Sequence, residues 1–269
     1  MSPWTLLRVR ASTLLLSLSA LALAGCGMAP KDPRDTSAEE MYAEARQEMD
    51  SGAYDAAIKR LARVEALGAG TLLAQQAQID LAYVQWRTGE RAAALATLDR
   101  FIKFNPSSPA LDYALYLRGL VNFNDNLGFL ASISRQDLSE RDQQASRDAF
   151  QSFKQLTEQF PDSRYTPDAT VRMGYIVNAL ASHEVHVARY YYRRGAYVAA
   201  ANRAQRAVAD FQNSPSAEEA LYILSLSYDK LGLKELRDGS DRVLKQNFPS
   251  SRFLVEGLRG PDKAWWQFW

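Results

Sequence analysis

From Ala38 onward the apolar positions recur at three- and four-residue spacing with little strict alternation, the period of helices that bury one face. The pattern predicts five helix pairs. The first covers about residues 37–67 and turns at Ser51-Gly52; Ser37 with Glu40 has the Ser-x-x-Glu form of a capping box, which places the helix start. The second covers about 71–105, where Leu95, Leu98, Phe101 and Ile102 form the stripe its second helix buries. Pro106 and Pro109 end it, because proline cannot donate to the preceding turn. The third begins near Ala110 and is interrupted, the fourth has an unusually long first helix over about 167–194, and the fifth covers about 216–247.

These pairs are copies of one unit. The stretch 194–211, RGAYVAAANRAQRAVADF, sets the pattern: Gly195, then Tyr197, then Ala200. Gly52, Tyr54 and Ala57 repeat it, as do Gly89 and Ala94. Pro106, Pro161 and Pro249 each fall twelve residues after the ruler positions Ala94, Ala149 and Arg237. Twelve residues before Ala57, Ala94, Ala200 and Arg237 stand Ala45, Ala82, Ala188 and Ser225, all small. Small residues on both helices of a pair let the backbones approach closely, as a tight helix-turn-helix crossing requires. The fold class is therefore all-α, a repeat solenoid of five helix pairs over 38–255.

The intervals between ruler positions are 37, 55, 51 and 37 residues, so the third and fourth repeats carry insertions. One is residues 122–139, with Phe123, Leu127, Phe129, Leu130 and Ile133 outside the period. An exposed apolar patch is costly unless used, so this segment is expected to fold back onto the stack in preference to docking on a partner. The other lengthens the fourth repeat's first helix, whose last turns carry Arg189, three tyrosines, Arg193 and Arg194. Pro249 and Pro261 frame a short linker to the final Ala264-Trp265-Trp266-Gln267-Phe268-Trp269, and residues 256–269 form an aromatic C-terminal tail. It either caps the last repeat or imitates an aromatic peptide ligand.

Composition changes this picture only at the start of the chain. Of 269 residues 47% are hydrophobic and the formal charge is +1, with Lys and Arg dispersed among Asp and Glu. No basic stripe tracks phosphates, so no nucleic-acid partner is expected. The single cysteine, Cys26, closes Leu23-Ala24-Gly25-Cys26 after a basic start at Arg8 and Arg10 and an apolar run too short to span a bilayer. Residues 1–25 thus resemble a lipoprotein signal peptide with a lipobox. The resemblance implies a mature chain beginning at Cys26, its sulfur carrying diacylglycerol and its amine acylated. Such multiple acyl chains anchor stably where one is marginal. Gly27 in place of Asp implies the outer membrane. Residues 26–37, with two prolines and no apolar period, read as a flexible tether.

A search for chemistry finds none. His183 and His186 in HEVH imitate a zinc motif, but at i and i+3 in place of i and i+4 and without a third ligand. There is no phosphate loop after a strand, no Gly-x-Ser-x-Gly, and no cysteine nucleophile once Cys26 is lipidated. Glu39-Glu40 and Glu218-Glu219 sit at helix starts, where the helix dipole accounts for them. No cofactor is expected beyond the covalent lipid. What remains is surface. The first helices of stacked pairs line a concave side, and the ruler points Arg46 and Met49, Tyr83 and Trp86, and Arg189 and Tyr192 toward it, with Arg87 beside them. Trp86 can equally fill the seam between repeats.

The Gly, Tyr, Ala and Pro positions resemble those of tetratricopeptide repeats. With the lipobox, the stretches LDYALYLRGL (111–120), SRQDLSERDQQASRDAF (134–150), FPDSRYTPDA (160–169) and RRGAYVAAANR (193–203) resemble the BamD family of outer-membrane lipoproteins, over nearly all of the mature chain. The resemblance implies a non-enzymatic periplasmic scaffold of the β-barrel assembly machinery. It implies binding to the periplasmic POTRA domains of BamA, contacts with accessory Bam lipoproteins, and receipt of unfolded outer-membrane proteins by the N-terminal repeats. It assigns Arg203, with Asn202 beside it, to the BamA-facing surface. Where the family often has a Tyr-Pro-Phe-like segment between the first two repeats, this chain has Gly68-Ala69-Gly70-Thr71-Leu72. The competing expectation is a periplasmic repeat adaptor that organises cell-wall or division proteins, since helix pairs alone do not name a ligand.

Overall fold

The computed structural model describes residues 37–123 and 143–258. Cys26, the tether before Ser37, most of the third-repeat insertion and the tail beyond Leu258 lie outside the described residues. The described chain is helical, without strands, and forms two compact units, one up to Ala77 and one from Gln78.

In the first unit, α1 (Ala38–Ser51) and α2 (Tyr54–Leu67) pack together, followed by the first turns of α3 (Leu72–Arg87). The cap at Ser37 is as expected: its hydroxyl accepts from the Glu40 amide at 3.1 Å. Gly52 ends α1 with φ of 80°, the left-handed conformation that Cβ-bearing residues resist. Gly89, Gly195 and Gly232 do the same at φ of 84°, 77° and 73°. The recurrent glycine is thus the turn between the two helices of a pair. Met41 and Ala45 of α1 meet Ala57, Leu61 and Val64 of α2 in the core.

The second unit continues with α4 (Arg91–Phe104), α5 (Leu111–Asn122), α6 (Gln143–Gln159), α7 (Thr166–Arg193), α8 (Tyr197–Asp210), α9 (Ser216–Lys230), α10 (Lys234–Asn247) and a short α11 (Phe253–Glu256). Three buried clusters run through it. Ile79, Ala82, Ala94, Leu98, Phe101, Ala114 and Leu117 join α3 to α4 and α5. Leu111, Leu115, Ala149, Phe153, Leu156, Ile176 and Leu180 join α5 to α6 and α7. Val185, Ala188, Ala200, Ala204, Ala220, Ile223 and Leu224 join α7 to α8 and α9. Helices α5 and α7 each serve two clusters, which is how a solenoid makes its core continuous. With α1 and α2, the described residues form five helix pairs, as the periodicity predicts.

The two long intervals have different solutions. In the fourth repeat the extra residues extend α7 to 28 residues, so its first half packs on α6 and its second on α8 and α9. In the third repeat they separate α5 from α6; Phe123, at the end of α5, packs on Phe153 and Tyr175 at ring distances of 6.3 and 5.9 Å, and residues 124–139 of the insertion, with the fold-back expected of them, lie outside the described residues. Gly119 is this repeat's close-approach residue. A Cβ there would lie 2.3 Å from the Phe153 ring, so glycine lets α6 seat its phenylalanine against the α5 backbone.

Candidate partner-binding surfaces

Of the residues the ruler points outward, Arg46 and Met49 belong to the first unit, on α1, with Arg46 exposed and Met49 half-buried. Beside them Arg60 of α2 bridges Glu44 and Glu48 of α1, with Nη2 2.7 Å from Glu48 Oε1. That hydrogen bond, against the cost of burial, holds the Arg60 guanidinium above its ordinary value.

Tyr83, Trp86 and Arg87 belong to the second unit, at the end of α3. The two rings meet edge to face at 6.2 Å, and both pack on the α3–α5 core. Trp86 therefore does fill the seam, while keeping a half-exposed edge. Arg87 donates through Nη1 to the Tyr83 hydroxyl at 2.8 Å and lies 5.8 Å from that ring's centre. The result is a small aromatic platform with a cation at its rim, suited to an apolar or aromatic side chain followed by an acceptor.

A second aromatic group, not singled out by the spacing, lies between α5 and α7. Tyr165 stacks on Tyr116 at 4.8 Å and lies 5.2 Å from Tyr113. The Tyr116 hydroxyl donates to Asp168 at 2.8 Å, Arg172 Nε donates to the same carboxylate oxygen at 2.6 Å, and Arg172 covers Phe123 at 4.9 Å. Burial, helped by Tyr165 and Asp80, pushes the Tyr113 hydroxyl up to about 12. Burial also works to raise Asp168, but the bonds from Arg172 and Tyr116 outweigh it and hold the carboxyl below its ordinary value. The sequence signal was the pair Tyr113 and Tyr116, three apart on one helical face.

Arg203 does not project alone. Its Nη1 donates to both oxygens of Glu184 on α7, at 3.2 and 3.1 Å, and Arg206 Nη1 stands 3.8 Å from the same carboxylate. Glu184 is buried, only 7% exposed, whereas Arg203 and Arg206 are one-third and one-half exposed at their side chains. Two guanidiniums thus share one carboxylate and the group keeps a net positive charge. Among the described residues Nε and Nη2 of Arg203 have no partner, an edge that a planar guanidinium can offer to a second carboxylate. Asn202 is exposed next to it. Glu184 is the residue the sequence reading missed: it lies in HEVH, where the two histidines drew attention, but four residues after Leu180 and inside the apolar stripe. Burial, together with Arg203 and Arg147 and against the pull of Glu184, pushes the His183 imidazole below its ordinary value. Among the described residues no group of three or more His, Cys, Asp or Glu could hold a metal ion. Arg189, also on α7, is tied to Glu219 of α9, with Nε 2.6 Å from Oε1.

Likeness to known proteins carries the rest. A family model described as YfiO, outer membrane lipoprotein, matches residues 34–243. The chain belongs to the BamD family. The outer membrane protein assembly factor BamD of Neisseria meningitidis serogroup B is 45% identical over 263 residues, covering 95% of this chain and 98% of the relative. That of Neisseria gonorrhoeae is 44% identical over the same length, and that of Haemophilus influenzae 31% identical over 251 residues, covering 93% of this chain and 95% of the relative. Membership in this family places the chain in association with the outer membrane. No helix among the described residues is long and apolar enough to cross a membrane.

Proposed function

We propose that this BamD-family chain is a non-enzymatic scaffold of outer-membrane β-barrel assembly, tethered through lipidated Cys26 to the periplasmic face of the outer membrane. It binds the periplasmic domains of BamA through Arg203 and Asn202, contacts accessory Bam lipoproteins, and receives unfolded outer-membrane proteins at residues of each unit taken separately: Tyr83, Trp86 and Arg87 in the second, Arg46 and Met49 in the first. The observation that carries this reading is the 45% identity to an assembly factor across 95% of the chain. Geometry supports the details. Arg203 is fixed from behind by Glu184 with its outer edge open to an acidic group. Tyr83 and Arg87 form an aromatic surface with a donor at its rim, which suits an extended segment ending in an aromatic residue.

The test is a mild-detergent pull-down of the lipoprotein from membranes. A β-barrel protein carrying soluble domains is the expected partner, and its loss with Arg203→Glu is the expected response. Capture of cell-wall enzymes in its place would replace this reading with that of a periplasmic adaptor. Retention of the barrel partner by Arg203→Glu would remove Arg203 from the contact. A Cys26→Ser variant is expected to leave the membrane fraction.

A further inference from the structure

The last two repeats leave a cleft open. It measures about 470 Å³ and lies among α8, α9 and α10. Val208, Ala209, Leu221, Val243 and Phe248 give it apolar walls, and the carboxamides of Gln205, Gln212 and Asn247 stand among them. The cleft lies on the flank of α8 opposite Arg203: positions 205, 208 and 209 share one side of that helix and 203 the other. Val243 is itself 41% exposed, so part of the wall faces water. An apolar hollow with a few amide groups is what an aromatic side chain with an N–H donor fits, the rings taking the walls and the indole donor an amide oxygen.

The chain supplies such side chains next to this site. After α11, Leu258 packs against the same α7–α9 core that Val208 joins, and Phe253 stacks on Tyr222 of α9 at 5.6 Å. The chain beyond Leu258 therefore starts from the helix that forms the cleft's middle wall. Residues 259–269 follow, and three of the protein's five tryptophans fall within 265–269. At roughly 3.3 Å per extended residue, Trp265 can reach about 23 Å from Leu258 and Trp269 about 36 Å, against a helix diameter of about 10 Å. Three tryptophans and a phenylalanine left in water would form an exposed apolar patch of the kind soluble surfaces avoid. Residues 259–263, Arg-Gly-Pro-Asp-Lys, are polar and suit a short surface linker.

We propose that the aromatic segment 264–269 docks into the cleft among α8, α9 and α10 of its own chain. It then closes the exposed end of the last repeat with rings from outside the repeat pattern, and it keeps those rings away from the aromatic platform on α3. This inference does not depend on the partner assignments above.

Disulfide trapping in the lipidated full-length protein tests it. Gln267→Cys is combined with Ala209→Cys on the cleft wall, or with Lys245→Cys on the opposite side of α10. A docked tail gives an intrachain disulfide with position 209 in about tenfold higher yield than with 245, and Val243→Glu in the wall abolishes that preference. Equal yields at 209 and 245 would mean a freely moving tail and would overturn the proposal. Disulfide-linked dimers would place the tail on a second copy, and preferential trapping by Arg87→Cys would make it a mimic of a groove ligand; either result overturns docking in its own cleft. Ala209, Lys245, Val243 and Arg87 are exposed, and an unchanged circular-dichroism melt of each variant confirms that the comparison is made between folded proteins.

Discussion

Glu184 illustrates what one polar residue in an apolar stripe demands. Buried between Leu180 and Ala188, it holds Arg203 and Arg206 from a neighbouring helix, so its removal strands a guanidinium as well as losing the pair. Because Arg203 is one-third exposed, the loss is moderated by solvent: Glu184→Gln is expected to cost about 1–3 kcal/mol by urea titration. Glu184→Leu with Arg203→Met should recover much of that, since two apolar groups can fill the space, and strictly additive losses would contradict the pairing. His183 gives a pH signature at the same place. Its folded-state value is depressed, chiefly by burial, so the unfolded chain binds the proton more readily. Stability is then complete above the usual imidazole range near ~6.5 and falls as pH drops through it toward the depressed value. The urea midpoint should show that decline, and His183→Gln should flatten it. The sequence displayed both histidines and the glutamate between them, the histidines at a spacing that differs from that of a zinc motif. What it did not display was the partner: Arg203 lies 19 residues away on another helix, and only the packing of α8 on α7 brings them together.

At the scale of elements, helix boundaries were readable because their causes are local. Glycines in the left-handed turn and prolines after helix ends act over a few residues, and α1 to α4 and α8 to α10 end within a residue or two of where these signals place them. The 55- and 51-residue intervals were equally visible, and the unbroken pattern over 167–194 marked the second as a helix extension. The tyrosine group was not readable, since Tyr116 and Asp168 are 52 residues apart and meet only once α7 lies on α5. Two substitutions separate backbone from packing effects. At Gly195 an added Cβ meets nothing within 4 Å, so Gly195→Ala pays only for the left-handed backbone, about 1–2 kcal/mol. At Gly119 the backbone is helical and the Cβ meets the Phe153 ring, so Gly119→Ala should cost about 1–3 kcal/mol through overpacking. Phe153→Leu should rescue Gly119→Ala and leave Gly195→Ala unchanged in thermal melts.

Over the whole molecule, the two units differ in how much core each holds. The first is built on Met41, Ala45, Ala57, Leu61 and Val64, with Ala74 and Ala77 completing it, so alanines outnumber larger side chains. The second carries three clusters linked through α5 and α7, with Phe101, Phe153 and several leucines and isoleucines fully buried. In repeat proteins stability is roughly a sum over repeats and their neighbour contacts, so a repeat with little apolar burial opens below the global free energy. Native-state hydrogen exchange read by mass spectrometry should therefore show α1 and α2 exchanging at lower urea than α8 and α9. Leu61→Ala, a buried truncation costing about 2–5 kcal/mol, should accelerate exchange in residues 38–67 while leaving 197–230 at its original rate. If both regions accelerated together, the chain would unfold as one cooperative block and the two units would not be separate in stability. If only α1 and α2 respond, the chain can loosen its first repeat, with Arg46 and Met49, while the Glu184 clamp that positions Arg203 stays intact. Under the proposed scaffold role, that difference would let the thin-cored repeat adjust to an incoming chain while the thick-cored repeats keep a fixed contact.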